Sequence, residues 1–196
     1  MNRRHFLSST GVTLASCGLV LAGCTTTSLS SDSGPTVDAG KRQSIDADTN
    51  STLARLTNSV NGAGEMLGKA RGVLVFPSVI SAGFWFGGQY GHGTLRIGGQ
   101  STSYYSLAAA SFGPQIGAQS KAIVFMFMTQ EALDRFTSSE GWAAGVDATV
   151  AVIKVGANGN VDTSTATGPV QAFVITNAGL MAGVSLEGTK ISRLVI

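Results

Sequence analysis

Charge is what this chain has least of. Asp, Glu, Lys and Arg make up 12% of its 196 residues, about half the usual share, and aromatic residues only 7%. There are two cysteines, two histidines and four prolines. Such scarcity excludes several kinds of chemistry. With His5 near the N-terminus and His92 alone in the body of the chain, no His/Cys cluster exists to hold a metal. No Gly-x-Ser-x-Gly occurs, because Gly183-Val184-Ser185-Leu186-Glu187 lacks the second glycine. No phosphate-binding glycine loop appears. His92 has no evident partner and reads as a solvated turn residue. Glu131 and Asp134 stand beside Arg135 on a helical segment, the signature of a solvated face. Glu140, Asp147, Asp162 and Glu187 show no pairing, so a glycosidase-like carboxylate pair would have to be assembled in space. The chain reads as a non-enzyme that needs no cofactor and no metal.

What is abundant is glycine, 26 residues, in a chain that is 43% hydrophobic. No Gly-X-Y period is present, so the composition points to a compact, mostly β domain and not to collagen. The N-terminus is an export signal. Arg3 and Arg4 precede an apolar run over residues 11–23 that is too short for a membrane span. Leu21-Ala22-Gly23-Cys24 resembles a lipobox, with Cys24 the acylated residue; Leu14-Ala15-Ser16-Cys17 matches less well, since it leaves a short h-region. Asn2-Arg3-Arg4-His5-Phe6-Leu7 is similar to a twin-arginine signal, with Sec export the alternative. Cleavage before Cys24 removes Cys17, Arg3 and Arg4, leaving one cysteine and eleven basic against eleven acidic residues. A polybasic nucleic-acid binder and an internal disulfide are then both excluded.

Three regions follow: a signal peptide over 1–23, a Ser/Thr/Asp-rich tether over 24–48, and a domain over 49–196. In 49–69, Leu53, Leu56, Val60 and Leu67 share one helical face. Packing on the protein's own sheet is the favoured reading and a membrane-surface helix the alternative, with Gly62 and Gly64 marking a break. Residues 71–76 form a strand stopped by Pro77, and 83–97 a hairpin turning at Gly91-His92-Gly93. Gly87 and Gly88 are expected at a tightly curved, close-packed point. Residues 101–107, 111–118 and the very apolar 121–128 read as further strands. Thr129 caps a helix to Thr137, carrying a Glu131/Arg135 pair. Residues 146–155 also read as a strand, followed by an Asn158-Gly159 turn. The strands at 170–176, 179–186 and 190–196 suggest a closing meander.

The stretch 70–97, with 104–136, GWAAGVDATVAV (141–152) and GLMAGVSLEGTKISRL (179–194), resembles the SYLF domain in the family's order, over roughly residues 48–196. The expected fold class is α+β: a curved or barrel-like, mainly antiparallel sheet with an N-terminal helix and one internal helix. The resemblance implies a lipid-binding domain without enzymatic activity. Actin binding, known in some eukaryotic members, is marked by no residue here, and the weakly basic 49–72 region speaks against phosphoinositide specificity. Candidate headgroup contacts are Lys69, Arg71, Arg96, Lys121, Lys190 and Arg193, which otherwise read as solvated edge residues. Phe84, Trp85, Tyr104 and Tyr105 are candidates for an apolar pocket or interface and otherwise read as core. The expected partner is envelope phospholipid, not nucleic acid, with a protein-binding lipoprotein as the alternative. Thr25 after the cysteine, where aspartate would retain the protein, resembles sorting to the periplasmic face of the outer membrane.

Overall fold

The computed structural model describes residues 35–156, 158–162, 164–176, 179–180 and 184–196, with the side chains of 35–37, 83–86, 111–118 and 179–180 outside that description. The signal region and Cys24 therefore lie outside the described residues. The elements run α1 (Pro35–Ser59), α2 (Ala63–Lys69), β1 (Gly72–Ile97), β2 (Gln100–Phe127), α3 (Gln130–Ser138), β3 (Gly141–Ala143), β4 (Val150–Val152), β5 (Val170–Thr176), β6 (Gly179–Leu180) and β7 (Lys190–Leu194). The fold is α+β, a curled half-barrel of mainly antiparallel strands with helices packed on it.

One long hairpin organises the sheet. β1 and β2 pair from Gly72↔Phe127 to Ile97↔Gln100. Pro77 does not stop β1. It sits in a bulge, where β1 advances from Phe76 to Val79 while β2 moves only from Ile123 to Lys121. A bulge accommodates the residue that cannot donate to the ladder. The turn is not at Gly91-His92-Gly93, which lies within β1, but at Gly98-Gly99, with φ of 60° and 82°. Positive φ at both central residues matches the twist of the flanking strands, and a Gly-Gly pair supplies it without strain. The expected strands at 101–107, 111–118 and 121–128 are one strand, β2.

The hairpin curls back on itself. A Cβ at Gly93 would overlap the Val75 carbonyl oxygen, and one at Gly91 would lie 2.7 Å from the Ser78 carbonyl oxygen. Glycine is required here by close backbone approach. Gly88, by contrast, faces open space with an ordinary φ, so the expected crowding is not at this residue, whereas Gly91 and Gly93 are crowded.

On its second edge β2 pairs with β7 over 104–108 and with β5 over 121–127. Among the described residues the last strands do not form the expected closing meander: β7 pairs with β2 and β3, and β4 runs parallel to β5. Among the described residues only β6 returns as a hairpin on β5. Local turn signals such as Gly188 (φ 74°) are real, but they steer the chain across the sheet instead of to the neighbouring strand.

Alternate residues divide two cores. The inner face buries Leu74, Phe76, Leu95, Leu107, Ile123, Phe125 and Phe127 against Leu133 and Phe136 of α3 and against Trp142. The outer face buries Val75, Val124, Met126 and Phe173 against Leu56, Val60 and Ala63. Leu56 and Val60 are 0% and 1% exposed, so the helical stripe faces the sheet and not a membrane. The helix breaks at Gly62 (φ 89°), as its glycine implies. α1 nevertheless starts at Pro35, inside the stretch expected to be a tether. Proline suits a first helical turn, Asp38 complements the dipole there, and Ile45, Thr49 and Thr52 are buried. Tertiary contacts override a Ser/Thr/Asp composition that cannot sustain a helix alone. No described helix is long and apolar enough to cross a membrane.

Candidate functional site

The basic candidates are not gathered into one patch. Lys69 bonds Glu65 one turn back at 2.6 Å, and with side chains 65% and 71% exposed this pair contributes little to stability. The hydrogen bond and charge of Lys69 hold Glu65 below the usual carboxylate range. Arg71 is exposed beside the start of β1, its backbone N–H donating to Phe127 O at 2.8 Å. Arg96 turns to α1, donating to Asn50 Oδ1 at 2.8 Å and to the Asp46 carbonyl at 3.3 Å. Lys190 and Arg193, an odd number of positions apart on β7, stand on opposite faces of the sheet. Lys121 is half-buried, and burial pulls its pKa down.

The aromatic candidates separate as well. Tyr104 donates to Asp46 Oδ2 at 2.9 Å; burial, then Asp46, raises its pKa. Ser101 donates to Asp46 Oδ1 at 2.7 Å, so one carboxylate clasps α1 to the hairpin tip. Tyr105 is core, 4% exposed with its ring 4.9 Å from that of Phe136. The side chains of Phe84 and Trp85 lie outside the described residues. His92 is in a strand, not a solvated turn. Its Nε2 meets Tyr90 Oη at 3.0 Å, and burial, then Lys41, lowers its pKa. Among the described residues no three His, Cys, Asp or Glu side chains group as metal ligands.

The unusual surface is elsewhere. Residues 80–89 of β1 and 109–120 of β2 pair with each other and, among the described residues, with nothing else, and Tyr90 follows at the edge of this stretch, opposite Ala108, where β7 joins β2. Because Ser78 and Val79 return against Gly91, this segment is a curled two-stranded lobe. Between Arg71 and Lys121 the sole Asp, Glu, Lys or Arg is Arg96, at the far end of the hairpin, so the lobe carries no charge. Ile80 and Tyr90 on it are 55% and 52% exposed, and the sequence places Phe84, Trp85, Phe86 and Phe112 along it. The charge gap was visible in the sequence. The informative signal is not any individual lysine or arginine but where they stop.

Two of the clefts among the described residues exceed about 300 Å³. One, about 380 Å³, lies between α1 and the β1 bulge, lined by Asp48, Ser51, Thr52, Arg55, Ser78 and Ser120. The other, about 360 Å³, runs between α3 and residues 145–149, beside the exposed Val146 and Pro169.

The family described as "Ysc84: Las17-binding protein actin regulator" matches residues 108–194, from the lobe to β7. Protein YSC84 of Saccharomyces cerevisiae (strain ATCC 204508 / S288c) is 32% identical over 146 residues, which is 68% of this chain and 31% of that protein. LAS seventeen-binding protein 3 of S. cerevisiae (strain YJM789) is 31% identical over 134 residues, 65% of this chain and 29% of its own. The matched stretch thus spans less than a third of these relatives' length. A half-barrel built on one long hairpin, with the match running through the hairpin's second strand to the last strand, carries the assignment: the chain belongs to the Ysc84/SYLF family.

Proposed function

We propose that this protein is an envelope lipoprotein, anchored through Cys24 on the periplasmic face of the outer membrane, whose domain binds phospholipid by laying the β1–β2 lobe against the lipid surface. The observation that carries this reading is the uncharged lobe with Ile80 and Tyr90 exposed. A surface free of charge and marked with aromatic residues suits the headgroup boundary, where amphipathic rings settle. A two-stranded ribbon with open edges does not suit the hydrocarbon interior, where each unpaired backbone group costs several kcal/mol. The lobe therefore lies in the interface and does not span it. Attraction by charge is weak on this reading, because the chain beyond Cys24 is neutral and its cations are dispersed. Binding should accordingly change little between low salt and about 1 M, where surface charges are screened within a few ångströms.

The test is vesicle co-sedimentation with Ile80→Asp/Tyr90→Asp. Both side chains are exposed, so the fold should persist by circular dichroism while binding falls at least tenfold. Equal binding by the folded double variant would remove the lobe from the reading. Anchoring is tested by Cys24→Ser, which should abolish fatty-acid labelling.

A second reading, a protein-binding module, is favoured by the relatives' names, one of which is Las17-binding. The cleft beside α3 is its candidate surface. Substituting Val146 with Asp should then remove a stable partner while leaving vesicle binding intact.

A further inference from the structure

The cleft between α1 and the β1 bulge holds two opposite charges that do not meet. Asp48 and Arg55 lie seven positions apart on one face of α1, about 10 Å along its axis. Among the described residues neither side chain takes part in a hydrogen bond or ion pair, although the i,i+4 pairs Glu65/Lys69 and Glu131/Arg135 on other helices are closed at 2.6 Å. Hydroxyl groups fill the interval. Ser51 and Thr52 lie one turn from Asp48 on the helix wall, and Ser78 and Ser120 face them from the hairpin, their Oγ atoms 3.1 Å apart. The extra residue of the bulge brings Ser78 to this position.

We propose that this cleft binds a small zwitterion bearing an ammonium and a phosphate ester, the chemistry of an ethanolamine-type headgroup. The ammonium donates to Asp48, the phosphate accepts from the Arg55 guanidinium, and the serine hydroxyls satisfy the remaining phosphate oxygens. A simple anion meets repulsion from Asp48, and a simple cation meets it from Arg55; only a ligand with both charges, held apart, uses both walls. A volume of about 380 Å³ accommodates a headgroup but no acyl chain in addition. For its lipid source this inference rests on the phospholipid reading, since the cleft opens at the base of the lobe, where residues 78 and 120 lead into it.

The experiment titrates O-phosphoethanolamine into the isotope-labelled full chain. Amide shifts should concentrate at Ser51, Thr52, Ser78 and Ser120. Inorganic phosphate and ethanolamine, offered separately, should each bind at least tenfold more weakly. Arg55→Ala and Asp48→Asn should each weaken phosphoethanolamine binding about tenfold, the loss expected for one charged hydrogen bond. In a second arm, phosphatidylethanolamine vesicles should lose to Asp48→Asn any advantage they hold over phosphatidylglycerol vesicles. Cleft shifts with unchanged vesicle binding in both variants support the site with a free small molecule as its ligand. Absence of shifts at these four amides overturns the inference whatever the vesicles do, and vesicle binding by the wild type would then leave the lobe reading standing. Equal shifts with phosphate alone also overturn it, in favour of a plain anion site.

Discussion

The same two strands behave oppositely at two points along their length. At the root, residues 73–76 and 123–127 are covered on both faces. Leu74, Phe76, Phe125 and Phe127 enter the inner core, and Val75, Val124 and Met126 the outer one. In the lobe, residues 80–89 and 109–120 are just as free of charge, yet among the described residues no third strand pairs with them, and Ile80 and the neighbouring Tyr90 face solvent. Apolar composition is thus shared by a core and by a surface, and neighbours decide which is which. α1 and α2 cover the outer face of the root, whereas β5 and β7 pair with β2 on either side of the lobe and not along it. An uncharged segment with exposed apolar side chains on an otherwise folded domain marks an interaction site more strongly than scattered apolar residues do.

The contrast predicts where the hairpin tolerates change. The largest effect belongs to Gly93→Val. A side chain there meets the Val75 carbonyl and the Phe76 ring, and neither can withdraw without opening the curl. Loss of folding, seen as a missing thermal transition, is expected; a cooperative melt near the wild-type midpoint would mean that the half-barrel does not close on this glycine. Next comes Leu56→Ser with Val60→Ser. Both residues are fully buried in the outer core, and removing two such side chains and burying hydroxyls should cost on the order of 5 kcal/mol. Urea unfolding measures it. A stable double variant that has lost only vesicle binding would restore the membrane-facing helix.

Smaller again is Asp46→Ala, which deletes the two hydrogen bonds from Ser101 and Tyr104. About 2 kcal/mol is expected for loss of a charged acceptor with two partners. The effect should be local as well as global. Amides over residues 42–50 should exchange faster than those near Leu56, because the first half of α1 is held mainly by this polar clasp, by Arg96 on Asn50 and by Arg42 on the Ile196 carbonyl at 2.6 Å.

How much of this was legible in the sequence depends on the range of the interactions involved. The stripe of Leu56 and Val60, the break at Gly62, the Thr129 cap and the Glu131/Arg135 pair are local, and each is where its spacing puts it. The cap bond, from the Ala132 N–H to Thr129 Oγ1, is 3.2 Å. The long hairpin was read as several short strands because Pro77 and the many glycines look like punctuation. A bulge absorbs the proline, and the glycines at 91 and 93 serve close approach instead of turning. Gly98-Gly99 was the stronger turn signal and lay one residue beyond the expected end. Pairing of β7 with β2 and the parallel β4/β5 contact involve distant segments, which no window of sequence contains. The start of α1 at Pro35 was hidden for the same reason: Asp46 finds its partners more than 50 residues away. As for the candidate site, charge or ring character is a property of one residue at a time, and the structure distributes the basic and aromatic candidates over both faces and several edges.

The finest test uses one substitution at two positions of β1. Gly88→Val introduces the same side chain as Gly93→Val, five residues earlier in the same strand. No atom lies within 4 Å of a Cβ at Gly88, and its φ is not in the left-handed region. Nothing must move, and valine favours an extended backbone while restricting the unfolded chain. A change within about 1 kcal/mol is therefore expected, and stabilisation is the more natural sign. The pair of variants separates two explanations of why β1 is rich in glycine. If glycine serves only the crossing, position 88 accepts valine and position 93 does not. If Gly88→Val loses its thermal transition as Gly93→Val does, then the lobe is packed against something, its backbone is confined, and the open, uncharged surface on which the lipid reading depends does not exist. A normal melt together with altered vesicle affinity is the outcome that places Gly88 on the binding surface, since a new apolar side chain there changes the contact and leaves the fold alone.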